Sequence, residues 1–183
     1  MDIKFAIITC SDTRDVTEDE AGAALESLIR EAGWSVCAHD VVHDDMREIS
    51  VAIRTATDDL AADIVLTCGG TGLSPRDVTP EATAAVCERD VPGIAEAIRS
   101  YSLAKTRRAM LSRACCMQRA VRGEDGLPMG KLALVINFPG STKAAREWLG
   151  RPLPTSSSMP SDVSRRGSLT LFSTEYYSQT NII

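Results

Sequence analysis

Aromatic side chains make up only 4% of this 183-residue chain, so rings cannot dominate its core. With 44% hydrophobic residues, Ala, Val, Ile and Leu must fill the interior, which suits Ala-rich helices packed on a Val/Ile sheet. No CxxC pair occurs among Cys10, Cys37, Cys68, Cys87, Cys115 and Cys116, which removes the usual thiolate zinc arrangement. Several of these cysteines sit in apolar runs, where a free thiol behaves as a small hydrophobe. A basic surplus is missing as well. Twenty-five acidic residues face twenty basic ones, a net charge of −5, whereas a nucleic-acid partner calls for a basic surface. No long apolar run is present: MDIKFAIITCSD reaches polar residues too soon for a membrane span or a signal peptide. Reduced thiols and the lack of an export signal together predict a cytoplasmic protein, one with no nucleic-acid or membrane partner.

What is present is a strand–helix alternation. Residues 5–9 (FAIIT), 36–42, 63–67 (DIVLT) and 131–137 read as short buried strands, β-branched and apolar. Between them come helical patterns over 21–32, stopped by Gly33, and from Asp44 or Asp45 to about Leu60. Thr79-Pro80-Glu81 opens another helix, with Thr as cap, Pro at the first helical position and an acid at the positive dipole end. Further helices are predicted from Pro92-Gly93 to about Ala104 and over 142–149. The fold class is α/β: three layers, α/β/α, around a mostly parallel central sheet. Residues 1–149 read as one domain. Residues 150–183, rich in Ser, Pro and Thr, read as an atypical tail too poor in apolar area to order itself.

In an open sheet of this kind, ligands sit outside the carboxyl ends of the strands. That rule gathers Ser11 and Asp12, then His43, Asp44 and Asp45, then Gly69 to Asp77, then Pro139 to Lys143 into one mouth. The loop Gly69, Gly70, Thr71, Gly72 lets backbone amides approach a ligand, although glycines after a strand also serve packing. Arg76 and Asp77 stand before a capped helix, where an acid is also a dipole partner. After Pro139 and Gly140, the first helical turn holds Ser141, Thr142 and Lys143. A lysine there is electrostatically unfavourable unless an anion such as phosphate joins it; the alternative is a solvated lysine. One of Asp44 and Asp45 caps a helix, or one holds a magnesium ion shared with substrate phosphates. Lys105, Arg107, Arg108, Arg113, Arg119 and Arg122 form a stretch without an acid, predicting a solvated or subunit-facing surface ahead of a phosphate channel.

TCGGTGLSPRDVTPEAT (67–83) resembles the signature of molybdopterin-binding proteins of the Mog and MoaB type, and FPGSTKAAREWL (138–149) resembles their second signature. SDTR (11–14), with Asp19 and Gly22, fits their first loop. The resemblance runs from about residue 3 to 149. It implies a homotrimer that transfers AMP from ATP to the terminal phosphate of molybdopterin, giving adenylyl-molybdopterin and pyrophosphate with Mg²⁺. The product would pass to a downstream molybdenum insertion protein. Asp77 matches the acid of the RDVTP motif and Asp44 the acid after the second strand. The resemblance implies that both serve catalysis and hold the metal. It implies substrate contacts for Ser11, Asp12, Gly69, Gly70, Thr71, Gly72, Arg76, Pro139, Gly140, Ser141 and Lys143. Two rivals share the fold: a trimeric module that binds molybdopterin without adenylylating it, and a nucleotide pyrophosphatase, against which the second signature argues. The family closes with an apolar helix begun by Leu-Pro-His, whereas Leu153-Pro154 is followed here by TSSSMPSD, a pattern that a one-base frameshift would produce.

Overall fold

β1 (Lys4–Cys10) buries every residue after Lys4, because helices cover both faces of the strand. The computed structural model in which it is seen describes residues 3–140. The expected helix over 142–149, the tail 150–183, and the candidates Ser141 and Lys143 lie outside the described residues. Beside β1 run β2 (Ser35–Val42) and β3 (Ile64–Cys68), both parallel to it. The sheet continues through three further strands, β4 (Arg89–Asp90), β5 (Cys116–Arg122) and β6 (Pro128–Phe138). Its order is β2-β1-β3-β6-β5-β4, with β6 parallel to β3, and β5 and β4 added antiparallel.

Two cores flank the sheet, as the three-layer expectation requires. On one face Phe5, Ile7, Leu66 and Ile136 pack with Leu25 and Ile29 of α1 (Glu20–Glu31) and Ile98 of α4 (Pro92–Leu103). On the other, Ala6, Ile8, Val65 and Val135 meet Ile49 and Ile53 of α2 (Met46–Arg54) and Ala82 of α3 (Thr79–Ala84). Alternate residues of β1 thus feed opposite layers, the period-two geometry of a strand. No helix among the described residues is long and apolar enough to cross a membrane.

Two local departures from the sequence reading have visible causes. The α-helical part of α2 ends at Arg54, and a π turn, Thr55–Asp59, carries the chain to Leu60. Thr57 Oγ1 donates to the carbonyls of Ile53 and Arg54 at 3.0 and 3.1 Å, and Leu60 N–H reaches back to Thr55. A hydroxyl competing for helix carbonyls bends the ladder in this way. β5 escapes a reading based on apolar runs because it buries Gln118 and Arg119 among its small residues, and β4 escapes because it is only two exposed residues.

Arg119 therefore leaves the solvated surface that its charge run predicts. It is 3% exposed, with Nε on Thr57 Oγ1 at 2.9 Å, Nη1 on the Val86 carbonyl at 2.7 Å and Nη2 on Asp58. It ties the antiparallel end of the sheet to the α2–α3 layer. Asn137 does the same nearer the site. Its Nδ2 donates to Thr67 and Thr83 hydroxyls, both at 2.9 Å, and its Oδ1 accepts from Cys115 N at 3.2 Å. Arg119→Ala is expected to lower the unfolding free energy by about 3–5 kcal/mol, the scale of leaving one half of a buried ion pair alone. Chemical denaturation checks this, and a loss below about 1 kcal/mol would place the pair with ordinary surface contacts.

Candidate active site

From β1 the chain moves out through α1 to β2, then returns across the other face through α2 to β3, on the far side of β1. The connections after β1 and β3 consequently part in opposite directions, leaving a crevice at their carboxyl ends. Most of the loops gathered by the strand-end rule meet there. Ser11 N–H donates to the Val42 carbonyl at 2.9 Å, fastening the first loop to the end of β2. Its hydroxyl accepts from Thr13 N–H at 3.3 Å, which shapes the following turn. Asp12 then reaches two other loops. It accepts from Arg76 Nε at 3.0 Å and from Arg76 Nη2 at 2.6 and 2.7 Å, and from the backbone N–H of Asp44 at 3.1 Å. The guanidinium holds the Asp12 carboxyl below the usual carboxylate range.

Asp44 and Asp45 divide the two roles left open by the sequence. Asp45 caps α2, accepting from Arg47 and Glu48 N–H at 2.9 and 3.0 Å. Asp44 is turned inward, and its Oδ1 is buried without a hydrogen-bond partner. Burial, with the negative charges of Asp12 and Asp77 added, pushes its carboxyl above the ordinary value. Asp77 is half-buried and accepts from Ser74 N–H at 2.8 Å, closing the SPRD turn.

The glycine loop runs between these acids. Gly70 has φ +61°, and a Cβ there would lie 2.2 Å from Thr79 Oγ1 and 3.0 Å from Asp44 Oδ1. A side chain at position 70 would meet strain and collision together. A Cβ at Gly72 would lie 3.0 Å from Asp77 Oδ2, so the two acids border the loop at its two ends. Gly69 N–H donates to the Phe138 carbonyl at 3.3 Å, and Gly140 packs on Gly69, which brings the Pro139–Gly140 turn alongside.

Two residues of the site were not among the site candidates read from the sequence. Thr79 is the first residue of α3 rather than its cap, with Val78 at the cap position. Its hydroxyl is buried against Gly70 without a hydrogen-bond partner, and the thiol of Cys10 is near it. Arg113, lost within the basic stretch, donates to the Gly72 carbonyl at 2.7 Å and also reaches the Asp77 carbonyl and Glu81. It fixes the glycine loop, the SPRD turn and α3 from outside. The only available signal was a run of cations that no neighbouring acid neutralised. His43 lies at the rim, exposed and bonded to Glu48 at 3.0 Å. His39 lies four residues earlier on an extended strand, roughly 13 Å away at about 3.3 Å per residue, so the two do not share a ligand.

A recess of about 260 Å³ is lined by Thr71, Gly72, Pro139 and Gly140, by Ile98, Arg99 and Ser102 of α4, and by Thr106, Arg108, Ala109, Leu111 and Ser112. Among the described residues, no three His, Cys, Asp or Glu side chains converge as a ready-made metal site. Mg²⁺ does not need one, since it keeps waters and takes one or two carboxylates together with substrate phosphates. The unpartnered Oδ1 of Asp44, in a field that repels its own ionisation, fits that demand, with Asp77 as second carboxylate.

An α/β sheet whose switch-point crevice carries a glycine loop, two acids and an exposed arginine is suited to phosphorylated small molecules. The chain belongs to the family described as probable molybdopterin binding domain, which matches residues 6–155. It is 33% identical, over 145 residues, to molybdenum cofactor biosynthesis protein B of Bacillus cereus, an alignment covering 79% of this chain and 80% of that one. It is 32% identical to the molybdopterin adenylyltransferase of Helicobacter pylori, over 83% of this chain and 82% of that protein. Among solved structures it is similar to the molybdopterin biosynthesis enzyme MoaB of Thermus thermophilus, with TM-score 0.65 and 36% identity. That likeness covers 79% of this chain and 86% of the other.

The raised pKa of Asp44 has a consequence for stability. The folded protein retains a proton that the unfolded chain releases, so Asp44 opposes folding increasingly as pH rises through its raised pKa. Asp44→Asn is therefore expected to raise the melting temperature at pH 7 in Mg²⁺-free buffer, with the gain vanishing at acid pH. Mg²⁺ should raise the melting temperature of the unsubstituted protein and leave Asp44→Asn unmoved. A variant that melts lower at pH 7 would mean that the carboxylate is already compensated.

Proposed function

We propose that this chain is a molybdopterin adenylyltransferase of molybdenum cofactor biosynthesis. It transfers AMP from ATP to the terminal phosphate of molybdopterin, giving adenylyl-molybdopterin and pyrophosphate. The observation that carries the reading is the unpartnered, half-buried Asp44 carboxylate beside the glycine loop and Asp77. In the transfer, an oxygen of the terminal phosphate attacks the α-phosphorus of ATP. The bond to the bridging oxygen breaks, and its electron pair leaves with pyrophosphate. No covalent protein nucleophile is required. The thiol of Cys10 is pushed up to about 12, chiefly by burial, and stays protonated.

The work of the protein is then positioning and charge neutralisation. Asp44 and Asp77 would hold Mg²⁺, which supplies positive charge to the phosphates when bound. Gly70, Thr71 and Gly72 offer backbone donors to the phosphate chain, on a loop that Gly69 anchors to the Phe138 carbonyl, with Ser11 and Asp12 shaping the adjoining rim. Arg76 is exposed at the mouth; its Nε and Nη2 hold Asp12, and its Nη1 is left to meet a phosphate oxygen. The Pro139–Gly140 turn leads to Ser141 and Lys143, which we assign to the substrate phosphate on the strength of the second signature alone. The catalytic domain would comprise residues 1–149. We further propose that the protein is a cytoplasmic homotrimer and hands its product to a molybdenum insertion protein; its six cysteines are free, as a reducing compartment keeps them.

Incubation with ATP, Mg²⁺ and molybdopterin should release pyrophosphate. Binding of molybdopterin without pyrophosphate release would make the chain a binding module instead. Asp77→Asn and Asp44→Asn should each slow release at least ~100-fold, the scale of losing one preorganised charge contact, while far-UV circular dichroism stays unchanged. Unaltered turnover in both variants would remove these acids from catalysis.

A further inference from the structure

The loop carrying Asp12 leaves the sheet at Cys10 and returns at Asp19, where α1 begins. Its neck is closed by a direct bond: Thr9 Oγ1 donates to Asp19 Oδ2 at 2.5 Å, while Asp19 Oδ1 caps α1 through Gly22 N–H at 3.0 Å. The Asp19 carboxylate is fully buried and also meets His39 Nε2 of β2 at 2.9 Å. The other ring nitrogen, Nδ1, meets Glu26 Oε2 of α1 at 3.0 Å. Both nitrogens thus face carboxylates, and only the imidazolium can donate to both. Gly22 leaves room for the arrangement, since a Cβ there would lie 2.1 Å from Asp19 Oδ2 and 2.3 Å from His39 Nε2.

We propose that His39 is a positioning residue: by bridging Asp19 and Glu26 it pins the neck of the Asp12 loop to β2, the strand that delivers Asp44. The two loops meet directly, because Asp12 accepts the Asp44 amide and holds Arg76. The function of this bridge in adenylyl transfer rests on the reading proposed above; its effect on the loop does not. Burial works against the charge on His39, but the bonds to Asp19 and Glu26 outweigh it and raise its pKa. The groups facing the ring from its surroundings are Asp19 and Glu26, with Arg30 bound to Glu26 at 2.8 Å and the Cys68 thiol of β3 within the field of Asp19. As pH rises through the raised pKa, one of the two bonds is lost and the neck loosens. The bridge thus stabilises the loop below that pH.

The test uses the full chain and three forms: unsubstituted, His39→Gln and Glu26→Gln, the last sparing the buried cap. The His39 ring, followed by NMR, should titrate above about 6.5, the free value, and move down in Glu26→Gln. Trypsin should cut after Arg14, within the exposed loop, several-fold faster in His39→Gln than in the unsubstituted chain at pH 7. That ratio should shrink by pH 8.5 as the native ring loses its proton. MgATP affinity at pH 6.5 should fall by up to about tenfold in His39→Gln, the scale of one hydrogen bond to a charged group. Affinity in His39→Gln should also lose the alkaline weakening of the unsubstituted chain, with Glu26→Gln intermediate. The maximal rate should stay within about twofold, a factor well below one hydrogen bond. His43 and its partner Glu48 are common to all three forms. Equal cleavage at Arg14, or a ring titrating at the free value, would overturn the proposal. If the unsubstituted chain neither binds MgATP nor releases pyrophosphate, the functional reading fails, and cleavage with ring titration still decides whether His39 holds the loop.

Discussion

Asp44 Oδ1 is buried without a hydrogen-bond partner while Asp12 and Asp77 add negative potential around it. A carboxylate in that position costs free energy until a cation joins it, because desolvation and like charge act in the same direction. Left alone, the Asp44 side chain would rotate toward water. The surrounding loops are built to prevent that. Asp12 holds the Asp44 amide, Gly70 and Thr79 close over the carboxyl, and Arg113 holds the glycine loop and the SPRD turn from behind. A preorganised charge is what phosphoryl-type transfer requires, since it gains little from flexible side chains.

Such a site depends on a scaffold that does not yield. The two apolar cores supply the bulk of the stabilisation, but they are non-directional and do not fix loop positions to within an ångström. Buried polar ties do that. Asn137 satisfies both ends of its amide across β6, β3, α3 and the start of β5, immediately beneath the mouth. Arg119 joins β5 to the π turn and to the end of α3. Each would be costly if half-satisfied, and each is fully engaged, so they select one arrangement of layers over near alternatives.

The polar ties also separate the proposed chemistry from its supports. Asp44, Asp77, Arg76 and the glycine loop face the crevice. Thr79, Arg113, Asp19 and His39 act on them from outside or beneath. The supporting residues come from α3, the segment before β5, the start of α1 and β2, and none belongs to the long glycine-loop signature except Thr79.

The sequence by itself determined the layer architecture, the parallel core of the sheet and the family. Short β-branched runs alternating with helical periodicity allow few other arrangements, and the glycine-loop string is long enough to be specific. It also determined that acids and glycines would gather at one end, because strand polarity alone places those loops there. It left β5 hidden, since a strand that buries arginine and glutamine carries no apolar period, and β4 hidden, since two exposed charged residues carry no period at all. It left Asp44 and Asp45 interchangeable, because capping and metal binding ask for the same side chain. Only the tertiary structure decided that Asp45 caps α2 and Asp44 turns inward, that Arg119 is buried, and that His39 stands between two carboxylates. The inward turn of Asp44, the burial of Arg119 and the setting of His39 depend on contacts between residues 13 to 62 positions apart, and local pattern carries no information about which distant partner a charge will find.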